Sequence, residues 1–137
     1  MKTWILPALG TLVCWGFWAF IPKLTTRYIS PMSAMVYESM GAMVIGAIVL
    51  AVLHFRPDVS GKGIFLALAT GMLGMAGGLC FLFAVRSGKV SVVAMFTSLS
   101  PLITIALGYL LLNETITLKE GLGILTAFIA IYLFSAS

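Results

Sequence analysis

Charge is scarce in this sequence. Only 9% of its 137 residues are Asp, Glu, Lys or Arg, and 61% are hydrophobic. An ordinary soluble domain carries about 25% charged residues and roughly 45–50% apolar ones. The mean hydropathy is +1.15. This balance excludes a soluble globular protein, a disordered tail and a nucleic-acid binder. Histidine is nearly absent, with His54 alone at the edge of an apolar run. A lone histidine makes no metal site. There are two cysteines, Cys14 and Cys80, both inside apolar runs. They are too few for a disulfide framework and lack metal-ligand spacing, so they read as small packing residues. No nucleophile–base pair, P-loop or H-E-x-x-H segment is present. No catalytic residue, metal or cofactor is therefore expected, and the protein is not expected to be an enzyme.

Long apolar runs are what the chain does have. Its length leaves room for one domain, 1–137. Five runs are separable, at residues 3–22, 31–54, 61–85, 90–112 and 117–134. Each has about 18–25 residues, which at 1.5 Å per residue is roughly 27–37 Å. A bilayer's hydrocarbon core is about 30 Å thick. The chain therefore reads as an all-α membrane protein with five transmembrane helices. Ser30-Pro31 opens the second helix as N-cap and first helical residue. Arg56-Pro57-Asp58 stops it. Arg86-Ser87-Gly88-Lys89 is a tight turn. Thr117-Leu118-Lys119-Glu120 is a capping box that opens the fifth helix. The connections are a few residues long, so successive helices are expected to be antiparallel neighbours. The first run continues through Trp15, Phe17 and Trp18 without a clean cleavage site, so it reads as a retained span rather than a signal peptide. Val13 before Cys14 argues against a lipoprotein site.

Five spans put the two ends of the chain on opposite sides of the membrane. Lys2, Arg56, Lys62 and Lys119 fall on one side, and Lys23, Arg27, Arg86 and Lys89 on the other. An excess of Lys and Arg normally marks the cytoplasmic side. The balance here predicts dual topology, with copies inserted both ways up. The alternative is a fixed orientation set by weaker cues.

Glu38 is the strongest single feature. It stands seven residues past Pro31, ~10 Å down the second helix. Ionisable groups at that depth are costly and face protein or a water-filled cavity. Its helical neighbours Ala34, Gly41, Ala42 and Ile45 are mostly small, so this face is expected to meet another helix. One reading makes Glu38 a substrate-binding and proton-coupling carboxyl that exchanges a proton for a cationic substrate. The other makes it half of a structural ion pair with Lys23 or Arg27. Trp15 and Trp18 share one face of the first helix, and an aromatic wall suits an amphipathic or cationic organic substrate. Plain packing is the alternative. In the fourth run Thr97, Ser100, Thr104 and Gly108 form a small polar stripe around Pro101. Pro101 removes a backbone donor and predicts a helix kink. The freed carbonyl either lines a substrate cavity or is answered by nearby hydroxyls. Gly74-x-x-x-Gly78 in the third run reads as a close-packing face.

In order and spacing these residues resemble one repeat of the drug/metabolite transporters of EamA type. The resemblance rests on Trp15-Gly16 and Lys23, on Ser30-Pro31, and on Phe83-Ala84-Val85-Arg86-Ser87-Gly88. It continues through Ser98-Leu99-Ser100-Pro101 and Leu111-Leu112-Asn113-Glu114-Thr115-Ile116-Thr117 to Gly121 and Gly123. Many such repeats carry arginine where this chain has Glu38. The resemblance implies one half of an inverted-repeat ten-helix transporter, rebuilt by two copies paired as an antiparallel homodimer. It implies a secondary transporter of the inner cell membrane that moves a small-molecule substrate, polar or amphipathic, by alternating access. Trp15, Trp18, Tyr37, Glu38, Thr97, Ser98 and Thr104 are the expected substrate-binding residues. Membrane lipid is an expected partner and nucleic acid is not. A non-transporting subunit that pairs with another half-size chain, or a lipid-head-group flippase, are the alternative readings.

Overall fold

The computed structural model describes residues 3–135. Lys2, one of the residues in the charge balance, lies outside them. All regular structure among the described residues is helical. The helices are α1 (Ile5–Thr25), α2 (Pro31–Val52), α3 (Gly61–Ser87), α4 (Val90–Thr97), α5 (Ser100–Leu112) and α6 (Leu118–Ser135). Four segments are long and apolar enough to cross a membrane: α1, α2, α3 and the stretch Val90–Leu112 that holds α4 and α5. With α6 this is the five-helix arrangement of a multi-pass membrane protein.

Helix ends follow local chemistry. The Ser30 hydroxyl accepts from the Ser33 backbone N–H at 3.2 Å, and Pro31 takes the first helical position. Thr117 and Glu120 form a reciprocal box. The Glu120 carboxylate accepts from the Thr117 N–H at 2.8 Å, and the Thr117 hydroxyl accepts from the Glu120 N–H at 3.4 Å. The second helix ends at Val52, ahead of the Arg56-Pro57 stop signal. His54 and Phe55 both turn left-handed there, at φ 52° and 58°, and the Phe55 N–H reaches back to the Leu50 carbonyl at 3.0 Å. A left-handed residue that bears a Cβ costs roughly 1–2 kcal/mol, so this end is strained. The fourth run is not one continuous helix. α4 stops at Thr97 and α5 resumes at Ser100, with Pro101 in its first turn.

The chain divides into two compact units, residues 1–87 and 88–137. In the first, α3 packs against both α1 and α2. Trp18 lies beside Phe81 and Lys23 beside Val85, so α1 and α3 run parallel. The buried core sits at one end of this unit. It consists of Pro22 from the end of α1, Pro31 and Ala34 from the start of α2, and Phe81, Leu82 and Val85 from the end of α3. In the second unit α4 packs against α6.

Candidate functional site

Each helix of the first unit carries one face that runs from the buried end into an open cleft. On α3 that face reads Gly74, Gly78, Leu82 and Val85, at helical spacing. The large residues fill the core, and the glycines lie where the helices leave space. On α2 it reads Pro31, Ala34, Glu38, Gly41 or Ala42, and Ile45. On α1 it reads Cys14, Trp18 and Pro22. The result is a cleft of 570 Å³ lined by Cys14, Trp15, Trp18, Met35, Glu38, Gly41, Ala42, Ile45, Gly74, Met75 and Gly78. A second cavity of 290 Å³ shares Trp18 and Glu38 with the first and adds Tyr37, Thr25 and three apolar residues. Ligand pockets commonly measure about 300–1,000 Å³, so the larger cleft is of small-molecule size.

Glu38 is the sole ionisable carboxyl among the lining residues of both cavities, and no Lys, Arg or His lines either. The Lys23 ammonium donates to the Val85 carbonyl oxygen at 2.6 Å. That contact ties the end of α1 to the last turn of α3. Near the buried end the Trp18 ring stands 5.2 Å from the Phe81 ring, tilted by 31°. Such aromatic pairs contribute about 0.5–1.5 kcal/mol beyond their buried area. Phe81 is buried and lies outside the cleft lining, so it supports Trp18 from the core. Gly78 is the point of closest approach. A methyl group there would stand 3.3 Å from Met35 Cε, 3.6 Å from Trp18 Cζ2 and 4.0 Å from Glu38 Oε2. A methyl group on Gly74 would meet nothing within 4 Å. Gly78 is thus a packing residue and a cleft residue at once, while Gly74 is a floor left bare.

The structure brings Trp15, Trp18 and Glu38 together, and places Tyr37 with Trp18 and Glu38 in the adjoining cavity. Thr97, Ser98 and Thr104 belong to the second unit, and their hydroxyls turn to their own helices. Thr97 and Ser98 both donate to the Ala94 carbonyl, at 3.0 and 2.8 Å, and Thr104 reaches the Ser100 carbonyl at 3.5 Å. Met35 and Met75 line the cleft without having been singled out from the sequence, and Cys14, expected only as a small packing residue, lines it with them. Neither their type nor their local spacing marks them, because their place depends on how α1, α2 and α3 meet. The second unit has a smaller cavity of 160 Å³ beside Glu114 and Glu120. There the left-handed Asn113 ends α5, the Glu114 N–H returns to the Gly108 carbonyl at 3.2 Å, and the Glu114 carboxyl folds over Gly108.

Comparison with known proteins agrees with the helical arrangement. The model of the EamA-like transporter family matches residues 2–136. The chain is 29% identical to the uncharacterized protein MJ1333.1 of Methanocaldococcus jannaschii, over 100% of this chain and 99% of that one. No solved structure matches significantly. A match that runs through all five apolar runs, and that includes the Glu38 cleft, places the chain in the EamA-like transporter family.

Proposed function

We propose that this protein is a secondary transporter of the cytoplasmic membrane. It moves a small polar or amphipathic metabolite by alternating access, with Glu38 as the substrate-binding and proton-coupling carboxyl. One observation carries the reading. A carboxyl ~10 Å along a membrane helix lines a cleft of small-molecule size, and ionisable groups inside membrane segments commonly mark transport pathways. Trp15 and Trp18 shape the larger cleft and Tyr37 the adjoining one. The working unit is an antiparallel homodimer. The balance of Lys and Arg between the two sides supports it.

Two measurements test this. The first is uptake into proteoliposomes, across a panel of amines, amino acids and nucleobases, with and without an outward proton gradient (acidic lumen). The expected result is uptake of at least one solute that depends on the gradient and is lost in Glu38→Gln. Gradient-independent uptake that is unchanged in Glu38→Gln would remove the coupling role. The second is labelling of intact cells with an impermeant thiol reagent, using single cysteines in the 26–30 or 54–60 loop of a Cys14→Ser, Cys80→Ser background. Labelling of each loop in about half of the molecules is expected for copies inserted both ways. Labelling of one loop alone excludes the antiparallel homodimer.

A further inference from the structure

The chemistry of the Glu38 cleft narrows the substrate beyond that reading, on which the inference rests. Its lining offers one negative charge and almost nothing else that is polar. The remaining groups are two indoles, the thioethers of Met35 and Met75, a thiol, and aliphatic or glycine surface. An anion would meet the carboxylate with no basic side chain to offset it. A small metal cation needs about six oxygen ligands, and one carboxylate in an aromatic cleft does not supply them. A primary ammonium brings three N–H donors. Beyond the carboxylate the lining has no strong side-chain acceptor, so most of those donors would be buried unpaired at a cost of about 1–3 kcal/mol each. A cation without N–H groups avoids that penalty. It keeps its attraction to the carboxylate and gains from the indole faces.

We propose that the cleft takes an organic monocation with few or no N–H groups, a quaternary ammonium or a charge-delocalised aromatic cation, with its charged head between Glu38 and Trp18. Gly78 sets the size of that head. It lies where Met35, Trp18 and Glu38 converge, and a single added methyl would stand within 4.0 Å of all three. The flexible Met35 methyl can yield by a few tenths of an ångström, so Gly78→Ala is expected to fold while it narrows the space beside the carboxylate.

The test uses the full chain in phosphatidylcholine nanodiscs and isothermal titration calorimetry, with empty nanodiscs as baseline. Three probes share a benzyl body: benzyltrimethylammonium, benzylammonium and phenylmethanesulfonate. Benzyltrimethylammonium is expected to bind about tenfold tighter than benzylammonium, and the sulfonate not to bind. Glu38→Gln should weaken benzyltrimethylammonium at least about tenfold. Glu38→Asp should retain part of the affinity. Gly78→Ala should weaken the trimethylammonium probe more than the smaller ammonium probe, reversing or flattening their ranking. Equal binding of the sulfonate and the trimethylammonium probe would overturn the inference. Unchanged affinity in a Glu38→Gln protein of wild-type helix content would overturn it as well. Should Glu38→Gln fail to fold, the ranking of the three probes on the wild-type chain decides. Uptake of labelled benzyltrimethylammonium into proteoliposomes separates the two readings. Binding without uptake removes the transporter reading and leaves the cation site. Uptake of other solutes by a chain that binds no quaternary ammonium removes the cation site and leaves the transporter.

Discussion

Glu38 in the first unit and Glu114 and Glu120 in the second are the same side chain put to different uses. Glu120 closes a capping box on the first turn of α6. Glu114 folds back over Gly108 at the end of α5. Both carboxylates serve helix ends, where orphan backbone donors or a glycine surface receive them. Glu38 stands in mid-helix, where backbone donors are already used, and it faces a cavity. Lysine shows the same contrast with its surroundings. Lys23 reaches a carbonyl 62 residues away and ties two helices together. The hydroxyls of Thr97, Ser98, Thr104 and Thr126 reach carbonyls three or four residues back along their own helices. An ionisable residue in an apolar chain thus reveals its role by whether local backbone consumes it. Among the four acidic residues, Glu38 alone stands in mid-helix and lines the larger cleft.

The largest effect expected from this contrast is on transport. Glu38→Gln should lower uptake by about tenfold to a hundredfold, the equivalent of ~1.5–3 kcal/mol for a lost charged contact. Glu120→Gln should leave uptake within about twofold. Equal losses in both would break the contrast. Next is stability. Leu82 is fully buried at the closed end of the first unit, whereas Leu111 is exposed. Leu82→Ala should destabilise by about 2–4 kcal/mol in reversible denaturant titrations, and Leu111→Ala by less than about 0.5 kcal/mol. Loss of the helix cap in Ser30→Ala should cost about 1 kcal/mol with little change in uptake, which separates a folding role from a transport role within the first unit. The smallest effect is expected at Thr104. Its 3.5 Å contact is at the limit of a hydrogen bond, so Thr104→Val should shift ligand affinity by less than about twofold. A larger loss would mean that the second unit contributes to binding.

Much of this arrangement is legible in the sequence because local chemistry fixes it. Ser30-Pro31 and the Thr117–Glu120 box declare helix starts through donors that must be satisfied within one turn. Glu38 declares itself by depth, and Trp15 and Trp18 by sharing a helix face. The break in the fourth run is signalled by Pro101, but its extent is not. Proline removes one donor, and whether the chain bends or stops at Ser98 and Leu99 depends on what packs around it. Gly74-x-x-x-Gly78 reads locally as a packing pair. Only the meeting of three helices divides its members, pressing Gly78 against Met35 and Trp18 and leaving Gly74 open. The same dependence hid Cys14, Met35 and Met75, whose side chains carry no signal until α1, α2 and α3 come together.

The bare floor at Gly74 sets two demands on α3 against each other. Alanine favours a helix interior over glycine by roughly 1 kcal/mol. Nothing in the structure stands in the way of the extra methyl at this position. Drift toward a sturdier helix would therefore be easy, and each step would shrink the chamber beneath Glu38. A Gly74→Ala protein should melt later and hold a smaller guest. Capacity and robustness are thus traded at a single carbon, and the room in the cleft can change along this helix without any change to Glu38.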